Sequence, residues 1–151
     1  MNEDLRWLKC HKGYQSVYFV HDFYLAFVEG YCLLDAYGSD DFMIFVNGEE
    51  VGGKATKEEC FHLKLDISKY LKNGFNRIGF LMKNTNQDKI ESLLSDEMKC
   101  AFAIRKDNGE FHSSEDGMLY KKKEDGDDGK WSLPMNIEGF STAEPTFFEK
   151  K

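Results

Sequence analysis

Hydrophobic and polar residues alternate along several short stretches of this 151-residue chain. Such alternation is typical of β-strands, whose successive side chains point to opposite faces. The stretch 59–67, ECFHLKLDI, is the cleanest case, with apolar residues on one side and His62, Lys64 and Asp66 on the other. It predicts a strand with one buried face and one solvated face. Further strands are predicted over residues 16–28, 30–37, 42–46, 76–84 and 99–114, the last as a hairpin.

Turn residues separate the predicted strands. Asn-Gly pairs, which supply the positive φ angles that tight turns demand, stand at positions 47–48, 73–74 and 108–109. The second pair closes a single helical turn predicted over 68–74. One short helix is predicted after residue 84, where Ile90, Leu93 and Leu94 have helical spacing. The sequence therefore predicts an all-β, antiparallel β-sandwich with little helix.

Length and composition fit one folded unit. The chain has a mass of 17.5 kDa, with 41% hydrophobic and 15% aromatic residues, enough for a single core. We expect a single domain over residues 1–151. Its last part, about 134–151, carries both prolines and is predicted to be an extended tail. This tail either folds back over the sandwich or docks on a neighbouring protein through its phenylalanines.

Charge and cysteine usage limit the classes of partner and the location. A net charge of −7 and a pI of about 5.1 disfavour nucleic acid and anionic membranes as partners. No secretory signal is visible at residues 1–15, and no apolar run has the length of a membrane span. The four cysteines are far apart in sequence, which favours free buried thiols. We therefore expect a cytoplasmic protein.

The order of the predicted elements resembles the galactose-binding-like β-sandwich, an accessory module of β-galactosidases and rhamnosidases. The residues that carry the resemblance are FVNGEEVGG at 45–53 and DISKYLKNGFN at 66–76. The resemblance covers 17–84 well and 99–134 loosely, and Tyr120 stands where a tryptophan is expected. It implies a jelly-roll-like sandwich, which here would carry one short helical insertion.

The corner at 66–76 has a simple physical interpretation. Asp66 and Ser68 can accept hydrogen bonds from the amides of the turn that contains Tyr70 and Leu71, as a helix cap does. Asn76 can bond the same corner from the other side. We expect these residues to shape the corner rather than to contact a ligand.

No catalytic motif is present in the sequence. It contains no G-x-S-x-G, phosphate-loop or dinucleotide fingerprint, and its four histidines lack metal-ligand spacing. We therefore predict that the protein is not an enzyme and needs no cofactor. Members of the resembled family sometimes hold a structural calcium. The pairs Asp40-Asp41 and Asp127-Asp128 could supply oxygen ligands, although neither has the spacing of a calcium loop, and solvated acidic turns are the simpler interpretation.

The resemblance implies a non-catalytic, lectin-like module that binds carbohydrate through loops at one end of the sandwich. The loop YGSDD offers Tyr37, Asp40 and Asp41 together, while Trp7 and Trp131 lie in predicted loops or termini and could stack on a pyranose. The same aromatics could instead cap the core. The alternative function is an intracellular module for protein–protein interaction or self-assembly, without sugar specificity. The predicted partner is thus a carbohydrate, a protein or further copies of the chain.

Overall fold

The computed structural model describes residues 7–9, 16–38, 41–54, 61–83, 99–123, 137 and 139–146. Within them the strands are β1 (Trp7–Lys9), β2 (Ser16–Leu25), β3 (Cys32–Gly38), β4 (Asp41–Val46), β5 (Glu49–Lys54), β6 (Phe61–Asp66), β7 (Gly74–Lys83), β8 (Lys99–Lys106), β9 (Phe111–Ser113), β10 (Leu119–Lys122), β11 (Ser141–Thr142) and β12 (Glu144–Thr146). Single turns of 3-10 helix span Ser68–Tyr70 and Ser114–Asp116.

The strands form two antiparallel sheets that pack as a sandwich. The first sheet has the order β12-β1-β8-β3-β6, and β9 also pairs with β8. The second has the order β11-β10-β2-β7-β4-β5. Among the described strands, consecutive ones share a sheet only at β4–β5, β8–β9 and β10–β11, and every other connection passes to the opposite sheet, as in a jelly roll. The predicted fold class is confirmed, while the helix predicted around Ile90 lies outside the described residues.

The core lies between the two sheets and is built mainly from the predicted alternation. Val17 and Phe19 of β2 face inward, whereas Tyr18 and Val20 lie on the outer face of the second sheet. Aromatic rings then join the sheets, because Phe80 of β7 lies 6.3 Å from Phe102 of β8, measured between ring centroids. The side chains in β6 follow the predicted pattern where they are described, with Leu63 and Leu65 against the core and Lys64 and Asp66 exposed.

Glycines shape the β4–β5 hairpin. Asn47 and Gly48 have φ angles of 51° and 88°, as expected for a type I′ turn. A Cβ atom on Gly53 would lie 2.6 Å from the carbonyl oxygen of Phe42, so only glycine fits there. The neighbouring Gly52 faces Leu63 and Leu65, which lets the edge strand β5 pack closely on the first sheet.

The described part of the C-terminal tail lies on the sandwich. Strand β11 pairs with β10 in the second sheet, and β12 pairs with β1 in the first, so residues 141–146 pass from one sheet to the other. Phe140 packs on the outer-face cluster around Tyr18. Residues 141–146 therefore fold back on the sandwich, which is one of the two predicted fates of the tail. Phe147 and Phe148 lie outside the described residues, and docking of the tail on another protein stays a prediction.

Candidate functional site

Tyr37 was predicted both at the end of the strand 30–37 and in the loop YGSDD, and the structure contradicts the loop placement. Tyr37 lies within β3, where it stands opposite Ala101 of β8. Its ring packs against Ala101 and Ala103 and is only 4% exposed, because these small residues leave room for an aromatic side chain. A ring in this position offers little surface for stacking on a sugar. Its part in ligand binding stays a prediction.

The other predicted site residues are described only in part. Asp41 begins β4 opposite Lys83, so the backbone places it at the same end of the sandwich as Tyr37. Trp7 lies in β1, opposite Thr146 of the tail. Asp40 and Trp131 lie outside the described residues. The backbone therefore brings Tyr37, Asp41 and Trp7 to one end of the sandwich, since β1 and β3 pair with the same part of β8. A binding role for the five residues remains a prediction.

The exposed aromatic residues of the described segments gather at or beside the opposite end. This end, called the aromatic end below, consists of loop 26–31, turn 67–73 and hairpin turn 107–110. The exposed aromatics are Tyr24 (56% exposed), Phe27 (65%), Tyr31 (48%), Phe75 (63%) and Phe111 (45%). The sequence analysis missed them, although the alternation in β2 already placed Tyr24 on the outward side.

Loop 26–31 is held in place by its neighbours at the aromatic end. The amide of Val28 donates to Oδ1 of Asn73 at 3.1 Å, and Nζ of Lys106 donates to the carbonyl oxygen of Glu29 at 3.2 Å. Gly30 has a φ of 84°, and a side chain there would collide with the Asp107 carboxylate. The loop therefore contacts both the corner and the β8–β9 hairpin, which fixes the backbone that carries Phe27 and Tyr31.

Asn76 organises the corner at residues 66–76, as predicted. Its side chain is fully buried, and its Oδ1 accepts hydrogen bonds from Nδ2 of Asn47 and from the amide of Lys72, both at 2.9 Å. Its Nδ2 donates to the carbonyl oxygens of Lys72 (2.8 Å) and Gly74 (3.2 Å). Asn47 Nδ2 also donates to the carbonyl oxygen of Tyr70 at 3.0 Å. One asparagine thus joins the turn, the hairpin and β7.

The predicted bonds of Asp66 and Ser68 need correction. Oδ1 of Asp66 accepts from the amide of Ser68 at 2.8 Å, a local turn that reaches only two residues ahead. The amides of Tyr70 and Leu71 instead donate to backbone carbonyl oxygens, because the segment forms a 3-10 turn. The hydrogen bonds from Ser68 hold the pKa of the Asp66 carboxyl below its ordinary value.

Two cross-strand pairs lie beside the aromatic end, on the outer face of the second sheet. Asp22 of β2 stands opposite Arg77 of β7, and their bidentate ion pair has Nε–Oδ1 and Nη2–Oδ2 distances of 2.6 and 2.9 Å. The Arg77 side chain is 3% exposed and that of Asp22 is 39% exposed. Tyr24 stands opposite Phe75, with ring centroids 5.3 Å apart in an edge-to-face arrangement. We call these four residues the paired patch.

The titratable groups in the interior have structural partners. Nδ1 of His21 lies 2.7 Å from the carbonyl oxygen of Gly117, and the ring packs on Phe23 and Phe102. Burial lowers the pKa of His21. Cys32 is a free, buried thiol, as predicted, and burial raises its pKa to about 11. Cys100 is buried as well, with its Sγ 3.7 Å from Sδ of Met118.

The described segments also bear on metal sites and on membrane spans. Nowhere in these segments do three or more His, Cys, Asp or Glu side chains come together as they would around a metal ion. The same segments contain no helix with the length and hydrophobicity needed to cross a membrane.

Solved structures with the same fold include parts of enzymes and a lectin. A rhamnosidase from a Bacillus species matches with a TM-score of 0.74 and 16% identity, over 97% of this chain and 19% of that one. The α-L-rhamnosidase of Dictyoglumus thermophilum matches with a TM-score of 0.72 and 12% identity, over 95% and 21%. A lectin of Pleurotus ostreatus in complex with GalNAc matches with a TM-score of 0.64 and 12% identity, over 93% and 42%.

These likenesses establish the fold. The chain spans about a fifth of the length of these two rhamnosidases and less than half of the lectin. No protein-family model and no curated protein matches it. The architecture is the all-β sandwich shared with parts of these proteins, which is the fold that the resemblance in the sequence implied.

Proposed function

We propose that a chain with this galactose-binding-like sandwich acts as a non-catalytic module that binds carbohydrate at one end of the fold. The observation that carries the proposal is the gathering of exposed aromatic side chains at the aromatic end. The neighbouring structures support it, since one is a lectin in complex with GalNAc and others are parts of rhamnosidases.

The physical basis is stacking on a surface that is already formed. The apolar face of a pyranose packs on an aromatic ring, while polar side chains bind its hydroxyl groups. Phe27 and Tyr31 lie in a loop whose backbone is tied to Asn73 and Lys106. Because the loop is fixed before binding, little conformational entropy is lost when a ligand arrives.

A glycan array with the purified protein tests the proposal. We would compare the wild type, with and without calcium, with Phe27→Ala, Tyr31→Ala and Trp131→Ala, and record each melting temperature. Loss of binding in the first two variants places the site at the aromatic end. Loss only in Trp131→Ala favours the predicted set of Tyr37, Asp40, Asp41, Trp7 and Trp131. If the wild type binds no glycan on the array, either with or without calcium, the proposal is wrong.

Protein–protein interaction is the second candidate function. Phe27 and Phe75 are each more than 60% exposed, and such rings also serve as anchors in protein interfaces. Light scattering would detect self-association, and Phe27→Ser should then reduce the measured mass to that of one chain. A single-chain mass for the wild type excludes the self-assembling form.

The cytoplasmic location also stays a prediction.

A further inference from the structure

The paired patch combines two kinds of contact on one face of the second sheet. Asp22 and Tyr24 are two residues apart on β2, so their side chains point to the same side, about 7 Å apart along the strand. Their partners on β7 repeat this spacing. An aromatic pair therefore lies next to an ion pair, beside the aromatic end.

The aromatic pair leaves ring surface open to solvent. Tyr24 and Phe75 remain 56% and 63% exposed although they contact one another. In an edge-to-face pair, the edge of one ring covers one face of the other ring, so the opposite face stays free. Both rings lie on strands that are paired with each other along their length. Little conformational entropy is therefore lost when a ligand binds to them.

The ion pair presents a hydrogen-bond acceptor rather than a cation. Arg77 is almost completely buried, whereas Asp22 is partly exposed. Each carboxylate oxygen accepts one hydrogen bond from Arg77 and has lone-pair capacity for another. Because Arg77 balances the charge, covering Asp22 with a ligand costs less than covering an isolated carboxylate. The ligand must therefore bring donors, as sugar hydroxyls do.

Charge narrows the class of ligand further. The exposed group of the ion pair is the carboxylate, and the chain as a whole carries a net charge of −7. An acidic sugar would bring a second carboxylate towards Asp22 and could not reach the buried guanidinium of Arg77. A neutral pyranose has the apolar face and the hydroxyl donors that the patch can bind, without this repulsion.

We propose that the paired patch is a sugar-binding site for a neutral pyranose, which stacks on Tyr24 or Phe75 while its hydroxyl groups donate to Asp22. This assignment rests on the proposed carbohydrate-binding function. It places the contact on the outer face of the second sheet, next to the loops of the aromatic end.

Saturation-transfer NMR titrations test the site with methyl glucoside, methyl galactoside, methyl rhamnoside and the methyl glycoside of glucuronic acid as probes. We expect at least one neutral glycoside to bind, and Tyr24→Ala or Phe75→Ala to weaken that binding at least tenfold. Met43→Ala, which removes an exposed apolar side chain from β4 towards the other end of the same sheet, is the matched control and should change the affinity less than twofold. Asp22→Asn should also weaken binding, and thermal melts would show whether each variant is folded.

The other outcomes separate the two proposals. If a neutral glycoside binds and both aromatic variants keep the wild-type affinity, the paired patch is not the site, while the binding function stands. Equal or tighter binding of the glucuronide overturns the assignment to neutral sugars. No binding of any probe here, together with a blank glycan array, overturns the binding function and the site with it.

Discussion

Replacing Asn76 by alanine should destabilise the fold more than the loss of a single side chain on the surface. The buried amide makes four hydrogen bonds, two as acceptor and two as donor. At about 1 kcal/mol of net stability for each bond, their loss could reach about 4 kcal/mol. Water that enters the vacated space would restore part of this. We therefore expect the free energy of unfolding to fall by about 2–4 kcal/mol.

Urea unfolding followed by fluorescence measures this change, with the free energies extrapolated to water. Asn108→Ala is the matched control, because the exposed Asn108 accepts one hydrogen bond, from the amide of Glu110 at 2.9 Å. We expect the control to lose less than about 1 kcal/mol. A loss in Asn76→Ala no larger than in the control would refute the reasoning that this residue holds the corner together.

Three further predictions concern backbone packing and buried titratable groups. Gly53→Ala should destabilise the protein by about 1–3 kcal/mol in urea, since its Cβ would meet backbone atoms. Gly52→Ala, whose Cβ would meet only leucine methyl groups at 3.3–3.4 Å, should cost less, and the reverse order would contradict this. Burial holds the pKa of His21 below its ordinary value of 6.5, so the unfolded chain binds the proton more readily. Stability should therefore be full above about pH 6.5 and decrease at lower pH by up to ~1.4 kcal/mol per pH unit. Urea unfolding of His21→Gln should show a smaller decrease, and equal pH dependence in both proteins would refute the assignment. With a pKa of about 11 instead of 9.0, Cys32 has about a hundredfold less thiolate at pH 8. Peptide-mapped labelling with iodoacetamide should be correspondingly slower in the native protein than in urea, and equal rates would contradict its burial.

The two candidate binding regions lie at different ends of the sandwich, and this decides how variants should be interpreted. Tyr37 and Asp41 lie where β3 and β4 meet, whereas Phe27 and Tyr31 lie in the loop between β2 and β3. A substitution at one end leaves the contacts of the other end intact. Binding data from both sets of variants can therefore be compared without assuming that either set perturbs the whole fold.

The sequence by itself determined the features that depend on neighbouring residues. The alternation in β2 and β6 predicted which side chains face the core, because side-chain direction in a strand follows a period of two. The pair Asn47-Gly48 predicted its turn, since positive φ angles are a local property of these residue types. The corner around Asn76 was predicted from its polar side chain and from the resemblance.

Only the tertiary structure decided which residues from distant parts of the chain meet. Asp22 and Arg77 are 55 positions apart, and their ion pair exists because the register of β2 and β7 sets them opposite each other. Tyr37 is buried because Ala101 and Ala103 on another strand leave room for its ring, so a ring that was predicted to be available to a ligand is covered. The aromatic end likewise exists because strand pairing brings together loops from distant parts of the chain. The exposure of a side chain depends on which residues pack over it. Strand order and register determine which residues these are.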